Sequence, residues 1–223
     1  MPMAATRAGT RGTARAAQAS ETRQRLLDAA VRLFAERGYD EVAVADIAEA
    51  AGVAHGLLYH HFGNKREIYL AVMRQTAEEL NASLVLRPDL PPQRQIREAL
   101  ASHLRYLAAH KGLSLRLILG GRGADPEAWA TFEDARWRAI EWLAAVAGMD
   151  PQRPAVRMTG RAIVAAIDDG AAYWLDDGET FAVETMVEWI IQLATSAARA
   201  AALLDPSLDI DAALAKVFVH PML

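Results

Sequence analysis

The feature that most constrains this chain is a pair of short helical segments joined by a glycine turn. The first runs from about Val44 to Ala51 and turns Ile47 and Ala48 inward, and the second runs from about Ala54 to His61. Gly52 supplies the turn between them. Two helices of about two turns each around a glycine turn are typical of the helix-turn-helix motif.

Longer helices are predicted on both sides of this motif. Ser20 is a good N-cap, Glu21 suits the first helical turn, and Gly38 is placed to end that helix. Apolar residues recur on one of its faces at Leu27, Ala30, Val31 and Phe34. After the motif, Asn64 with Glu67 three residues on has capping-box spacing and begins the next helix.

The remainder of the chain also has a helical pattern. Prolines at 88, 91 and 92 indicate a linker. Helices are then expected at about 92–110, 112–120, 125–148, 153–177 and 180–204. No segment alternates in the manner of a strand, so the expected fold class is all-α. It comprises an N-terminal three-helix helix-turn-helix domain and a larger helical domain, with about nine helices.

Bulk properties exclude some classes of protein. The chain has no cysteine, which rules out disulfides and cysteine metal sites, and no apolar run long enough for a membrane span. No secretory signal is visible, so a cytoplasmic protein without membrane contact is expected. The net charge of −4 does not by itself indicate nucleic acid, so any DNA contact must depend on local arrangement.

The first 19 residues lack an apolar stripe and are expected to form a disordered tail. Their basic residues are Arg7, Arg11 and Arg15, with no acidic residue among them. These arginines have three open interpretations: solvated side chains, contacts to a minor groove or phosphates, or part of an organellar transit peptide.

The segment from Arg23 to Tyr69 resembles the TetR family of transcriptional regulators. The matching residues are Leu26 to Ala30, Leu33-Phe34, Gly38-Tyr39, Asp46 to Ala48, Ala51 to Val53, Gly56 to Phe62 and Lys65. The similarity covers roughly the first third of the chain. Beyond it only helix count and length match, with Asp169-Gly170 and Trp174-Leu175.

This resemblance implies four parts. They are a tail over 1–19, a DNA-binding domain over 20–80 with its motif at about 43–62, an effector-binding and dimerisation domain over 81–204, and a C-terminal tail over 205–223. It also implies a homodimer on a palindromic double-stranded operator, acting as a repressor released by a small apolar or aromatic effector. An open alternative is a DNA-binding protein without a ligand, controlled by a partner protein or constitutive.

The DNA contacts follow from the motif and the resemblance. The recognition helix lies in the major groove, and the helix after Asn64 offers free N–H groups and the charge of Lys65 to a phosphate. The residues expected at DNA are Ala45, Ala54, His55, Gly56, Leu57, Leu58, Tyr59, His60, Asn64 and Lys65. Leu57, Leu58, Tyr59 and Phe62 have a competing interpretation as core.

Two residues depart from the family pattern at the starts of the motif helices. Members commonly carry Ser or Thr there, whereas this chain has Ala43 and Ala54. Each alanine removes a capping hydroxyl worth about 1 kcal/mol, and with it a possible phosphate contact.

The histidines His55, His60 and His61 raise the question of a metal site. Such a site is not expected, because the three side chains lie on different helix faces.

The resemblance also implies a dimer interface on the last two large helices. The residues expected there are Ile163, Ile167, Trp174, Val183, Val187, Ile190, Ala194 and Ala197, with intramolecular core as the alternative.

The effector is expected among aromatic and polar residues of the middle helices, since a small-molecule site needs apolar walls with a few polar groups. The residues expected there are His103, Tyr106, Trp129, Phe132, Arg136 and Asp168, with hydrophobic core as the alternative for the aromatic ones.

Catalysis and cofactors are not expected. Asp168 with Asp169 and Asp176 with Asp177 are adjacent on a helix, so neither pair converges by itself. The glycines from Gly120 to Gly123 have neither the spacing of a phosphate-binding loop nor a preceding strand. No nucleophile–base set is visible.

Overall fold

The computed structural model describes residues 6–84, 87–120 and 125–218, and every regular element in those ranges is helical. The helices are α1 (Thr6–Glu36), α2 (Val44–Ala50), α3 (Gly56–Phe62), α4 (Lys65–Ser83), α5 (Pro92–Ala109), α6 (Lys111–Gly120), α7 (Pro126–Ala147), α8 (Pro154–Asp176), α9 (Val183–Leu204) and α10 (Ile210–Phe218), with a 3₁₀ turn at Tyr39–Glu41. This confirms the all-α class. Within the described ranges, no helix is both long and apolar enough to cross a membrane.

The chain forms two compact units that divide between Arg74 and Gln75. The division falls inside α4, which runs from Lys65 to Ser83 and so contributes residues to both units. The boundary expected at 80/81 was therefore placed too late. The sequence has no glycine or proline there, so it carries no signal for a break at the point where the units separate.

The smaller unit packs α1, α2, α3 and the start of α4 around one core. Its fully buried side chains include Leu26, Ile47, Leu58 and Ile68. The turn between α2 and α3 is fixed from outside, because Nη2 of Arg25 donates to the carbonyls of Ala51 and Gly52 at 2.5 and 3.0 Å. Gly52 has a φ of 62°, which an L side chain rarely adopts.

The first helix begins at Thr6 and not at Ser20, so the disordered tail expected over 1–19 is wrong for residues 6–19. That segment has no apolar stripe in its sequence, yet it is rich in Ala and Arg, which favour helix intrinsically. The side chains of Arg7 and Arg11 lie outside the described residues, whereas Arg15 is exposed.

The larger unit has α8 and α9 packed along each other, with α6 and α7 on α8 and α5 on α9. One core cluster joins α5, α8 and α9 at Leu104, Trp174, Leu175, Val187 and Ile190. Gly120 ends α6, while Gly121 and Gly123 of the glycine stretch lie outside the described residues.

The C-terminal tail expected over 205–223 is also wrong, because residues 210–218 form α10. Ala213 and Val217 are buried in a cluster with Ile96 of α5 and Ala147 of α7. The turn before α10 is tied down by Arg153, which pairs with Asp205 and Ser207. Asp205 and Pro206 mark the end of α9 but not the end of the folded region, because α10 follows them.

Candidate DNA interface and effector cavities

The recognition helix α3 is a short helix with one buried and one exposed face. Leu57 and Tyr59 keep 36% and 48% of their surface exposed, and His55, Gly56 and His60 are exposed beside them. Ala45 of α2 and Ala54 are exposed as well. Leu58, by contrast, is fully buried, so its expected DNA contact is wrong; it belongs to the core that holds α3 in place. Phe62 is buried at the end of the helix.

The packing of the protein does not require a glycine at residue 56. A β-carbon at this position would meet no atom of the protein within 4 Å, and its φ is not in the left-handed region. The glycine therefore leaves an empty surface at the first residue of α3. Such a surface permits an external backbone to approach the helix closely.

The start of α4 provides the second part of the interface. The Asn64 side chain accepts a hydrogen bond from the Glu67 backbone N–H at 3.0 Å, which is the N-cap expected from the sequence. The next residue, Lys65, places its Nζ 4.4 Å above the centroid of the Tyr39 ring. The charge of Lys65 is therefore held in a defined position instead of moving freely on its side chain.

Tyr39 is a functional candidate that sequence reasoning missed. Its ring packs against Tyr69 at 4.8 Å between centroids, and Tyr69 packs against Phe34 at 5.1 Å. Tyr39 nevertheless remains 37% exposed. The Gly38-Tyr39 match to the family was the only available signal, and it does not say that the ring supports a lysine twenty-six residues later.

The structure explains how α2 begins without a hydroxyl cap. The Asp46 carboxylate accepts a hydrogen bond from the Ala43 backbone N–H at 3.3 Å, and Arg37 holds the same carboxylate at 2.9 Å. Asp46 thus supplies the reciprocal half of a capping box, at the N–H of Ala43, while the hydrogen bond that a hydroxyl at residue 43 would make is not replaced. At Ala54 the carbonyl accepts from the Leu57 N–H at 2.9 Å, and no side chain caps α3.

The three histidines of α3 do not form a ligand set. His55 lies by Tyr59, with ring centroids 5.4 Å apart, while His60 and His61 are 5.1 Å apart. Burial, followed by the neighbouring charges of His60 and Arg23, lowers the pKa of His61. Within the described ranges, no three His, Cys, Asp or Glu side chains are grouped as metal ligands.

The larger unit contains a row of three internal cavities of about 100, 110 and 90 Å³. The first and second share Leu100, Ala139 and Ile167 among their walls. The second and third share Ile140 and Ile163. Along α8 the row extends from Asp168 to Val156, roughly 18 Å at the helical rise per residue.

The first cavity is the polar end of this row. Its walls include His103 of α5, Phe132 and Arg136 of α7, and Asp168 of α8, together with Leu80 and Asn81 of α4. The second and third cavities are lined almost wholly by apolar side chains. Four of the six residues expected at the effector are therefore brought together at one end of an apolar space.

An ion-pair network lies at this polar end. Nη2 of Arg136 is 2.5 Å from Oδ2 of Asp168, and Nη1 of Arg136 is 2.8 Å from Glu133, which also binds Arg161 at 2.7 Å. Burial raises the pKa of Asp168, against the opposing effect of Arg136. Burial would also raise the pKa of Glu133, but hydrogen bonds from Arg136 and Arg161 lower it.

His103 is a neutral member of the same cavity wall. Its Nδ1 lies 3.2 Å from Oγ of Ser83, and that hydroxyl donates its hydrogen to the Leu80 carbonyl at 2.6 Å. Nδ1 of His103 must therefore be the donor to Ser83, which fixes the tautomer. Burial lowers the pKa of His103 to about 4.

Tyr106 and Trp129 are not among the lining residues of these three cavities. The Tyr106 hydroxyl donates to Glu79 at 2.8 Å, and its ring stacks on His110 with centroids 4.2 Å apart. Burial and this bond raise the pKa of Tyr106. The centroid of the Trp129 ring lies 5.1 Å from the Arg136 guanidinium, so Trp129 packs against a residue of the cavity wall without lining the cavity itself. The expectation that Tyr106 and Trp129 contact the effector stays a prediction.

The exposed faces of α8 and α9 carry a separate apolar surface. Tyr173, Phe181 and Trp189 keep 68%, 50% and 45% of their surface exposed, around a groove of about 650 Å³. Gly170 lies at its floor, where a β-carbon would be 2.7 Å from Cη2 of Trp189. Met158 on α8 and Leu203 on α9 are exposed on the same two helices.

This surface differs from the dimer residues expected from the sequence. Ile163, Trp174, Val187 and Ile190 are buried within the protomer, and the Trp174 indole donates to the Phe181 carbonyl at 2.8 Å. Ile167 and Ala194 line the internal cavities, and Val183 packs on the core. Ala197 is half-buried. Most of the expected stripe is therefore core, and Tyr173 with Trp189 marks the outer face.

Comparisons with known proteins match this architecture. The model of the bacterial regulatory proteins of the tetR family matches residues 26–72, which hold α2, α3 and the start of α4. The regulator TtgW of Pseudomonas putida is 34% identical over 110 residues, which are 49% of this chain and 81% of TtgW. The chain belongs to the TetR family. It is a DNA-binding transcriptional regulator.

TetR relatives act in both directions. The transcriptional activator FasR of Mycolicibacterium smegmatis is 29% identical over 181 residues, covering 78% of this chain and 81% of FasR. The transcriptional repressor AcnR of Corynebacterium efficiens is 31% identical over 114 residues, covering 51% of this chain and 57% of AcnR. This family consists of transcriptional regulators and not of enzymes.

Solved TetR structures share the fold. A tetR-family regulator from Streptomyces coelicolor superposes with a TM-score of 0.77 at 22% identity, over 89% of this chain and 88% of that protein. FadR of Bacillus subtilis, solved with stearoyl-CoA, superposes with a TM-score of 0.59 at 21% identity, over 78% of this chain and 98% of FadR. These similarities extend the family fold across the larger unit.

Proposed function

We propose that this TetR regulator is a homodimeric repressor that leaves a near-palindromic operator when an apolar molecule with one polar end occupies its internal cavities. The observation that carries this proposal is the course of α4. The helix begins at Asn64 and Lys65, the residues placed for a phosphate, and its far part supplies Leu80 and Asn81 to the wall of the first cavity. One helix therefore contributes residues to both sites.

A second copy of the chain is the proposed occupant of the α8/α9 face. Tyr173, Phe181 and Trp189 form an apolar patch around a groove, which a monomer in water would leave exposed at a cost. The small residues Ala166 and Gly170 at the groove allow helices to approach closely. A two-fold dimer through one face presents two identical recognition helices, which is why the operator is expected to be a near-palindrome.

The cavities favour an elongated effector. The three cavities lie in a row, and the apolar side chains that line them lack van der Waals contacts on the side that faces each cavity. A flexible alkyl chain fits a row of connected voids better than a rigid ring system does. FadR of Bacillus subtilis, which shares the fold, was solved in complex with stearoyl-CoA, and this supports a long-chain acyl compound as the class of effector.

Release follows from a preference of the effector for one state. An effector that fills the cavities stabilises the conformation of Leu80 and Asn81 around it, and a different position of α4 moves Lys65 from the phosphate. Equal affinity for both conformations would shift nothing. A coupling of about 1–3 kcal/mol corresponds to a roughly 5–150-fold loss of operator affinity.

The experiment is a linked titration with the full-length protein. An operator is first selected from a random DNA pool, and its affinity is then measured with and without saturating dodecanoate, dodecan-1-ol or dodecanoyl-CoA. We expect at least one of these amphiphiles to weaken operator binding, and operator DNA to weaken its binding by the same factor. Amphiphiles that bind the protein and leave operator affinity unchanged would contradict release.

Repression is tested in the same system with a promoter that carries the selected operator. We expect lower transcription when the regulator is added and recovery when the active amphiphile is added. An increase in transcription on adding the regulator would place this chain with activators, as FasR is.

A further inference from the structure

The polar end of the cavity row contains a cation that is already paired. Arg136 is 17% exposed, its guanidinium lies 4.1 Å from the centroid of the Phe132 ring, and it reaches the first cavity together with Asp168. Arginine buried against an aromatic ring is suited to bind a planar anion through two parallel N–H groups. This inference rests on the proposed effector site and concerns the chemistry of the effector's polar end.

The contact between Arg136 and Asp168 is close but incomplete. Although Nη2 and Oδ2 are 2.5 Å apart, Oδ2 lacks hydrogen-bond geometry, and Nε of Arg136 has no acceptor among the residues that the structure describes. Both atoms are buried. A buried ion pair with unsatisfied donors gains little over its desolvation cost, so an anion that satisfies both Nε and Nη2 would be the better partner.

The two carboxylates on Arg136 are not equivalent. Asp168 lines the cavity, whereas Glu133 is not among the cavity-lining residues and is held by Arg161 as well. Glu133 holds Nη1 of Arg136 without lining the cavity. Asp168 therefore occupies the position from which a ligand in the cavity would reach the guanidinium.

We propose that the effector's polar end is a carboxylate that binds Arg136 in place of Asp168, and that Asp168 acts as a built-in competitor in the unliganded protein. The alkyl chain then extends along the apolar cavities toward Ile163. Arg136 then has two carboxylate partners in each state, Glu133 in both and either Asp168 or the effector as the second. Burial raises the pKa of Asp168, which lowers the cost of protonating this side chain when it separates from Arg136.

The test compares two probes of equal chain length, dodecanoate and dodecan-1-ol, by calorimetry on the full-length protein. Asp168→Asn keeps the shape of the side chain but removes the competing charge, and we expect it to bind dodecanoate at least tenfold more tightly than wild type. Arg136→Gln is expected to bind dodecanoate at least tenfold more weakly. Neither substitution should change dodecan-1-ol binding by more than about threefold.

Glu133→Gln is the matched control, because it removes the same charge from Arg136 without changing the cavity wall. A change of less than threefold in dodecanoate affinity supports exchange at Asp168. A rise in dodecanoate affinity equal to that of Asp168→Asn would show that only the net charge near Arg136 matters, and it would overturn the exchange. Thermal unfolding identifies any variant that fails to fold, and Arg136→Lys then tests whether a retained charge retains the preference for dodecanoate.

The inference and the proposed function fail in different ways. Binding of dodecan-1-ol or dodecanoyl-CoA that is insensitive to Arg136→Gln, with no dodecanoate binding by any variant, would overturn the carboxylate site and leave the apolar effector site standing. No binding of any probe to wild type or to Asp168→Asn would overturn both.

Discussion

Lys65 is held above the ring of Tyr39, with its Nζ 4.4 Å from the ring centroid. The ring belongs to the turn after α1, and the lysine begins α4, so the contact joins two elements at the proposed phosphate site. A preformed position reduces the side-chain entropy that Lys65 loses on binding a phosphate. Tyr39 is therefore a positioning residue for the DNA interface.

Replacing the ring should weaken DNA binding without removing the phosphate contact. We expect Tyr39→Leu to lower operator affinity roughly threefold, the size of an exposed cation–π contact, and to leave the salt dependence unchanged. Lys65→Ala should lower affinity for all sequences and reduce the salt slope by about one. Tyr39→Phe keeps the ring and is the control. A changed slope in Tyr39→Leu would contradict a positioning role.

Substitution of Gly56 should raise the stability of the protein and lower its affinity for DNA. Because a β-carbon there meets no atom of the protein, Gly56→Ala is expected to raise the free energy of unfolding by roughly 0.5 kcal/mol through helix propensity. The same methyl group should lower operator affinity at least tenfold by blocking close approach of the DNA backbone. Urea unfolding and a DNA titration measure the two effects. Unchanged operator affinity in a folded variant would place Gly56 away from the DNA.

The close approach of Gly170 to Trp189 makes a prediction about the dimer. A β-carbon at Gly170 would lie 2.7 Å from Cη2 of Trp189, so Gly170→Ala must displace the ring within the groove. We expect the dimer dissociation constant, measured by sedimentation equilibrium, to rise at least tenfold. In a Trp189→Ala background the same substitution should have little further effect, since its target is gone. Equal effects in both backgrounds would mean that Gly170 does not act through Trp189.

His103 should make the larger unit less stable in acid. Its pKa is about 4 in the folded protein and 6.5 when unfolded, so only the unfolded chain takes up a proton between these values. The contribution of neutral His103 is complete above pH 6.5 and is lost as the pH falls to about 4, amounting to roughly 3 kcal/mol. His103→Gln should show a shallower loss of unfolding free energy over this interval. Parallel pH profiles for wild type and variant would contradict the assignment.

The DNA-binding part of the chain was largely predictable because its signals are local. Gly52 marks a turn that needs a positive φ, and Asn64 marks a cap that the structure shows with its hydrogen bond to Glu67. Leu58 was harder, because adjacent apolar residues on a short helix can point inward or outward. Only the packing of α3 shows that Leu57 is the exposed one of the pair.

The larger unit was less predictable because α8 and α9 are apolar on more than one face. A stripe of apolar residues identifies Ile163 and Val187 equally well as core or as dimer surface, and the structure places both in the core. The exposed aromatics Tyr173 and Trp189 are visible in the sequence, but exposure depends on which neighbours cover each helix. Each cavity is a void between four helices, and a sequence pattern does not indicate where helices leave a void.

The central claim is that a dimer reads two related half-sites, and paired duplexes test it most directly. One duplex carries the selected operator, and the other has one half-site scrambled at constant length and salt. We predict a loss of affinity of at least a hundredfold for the scrambled duplex, and a loss of this difference in a variant made monomeric at Trp189. Equal affinity of the wild-type protein for the two duplexes would contradict the account.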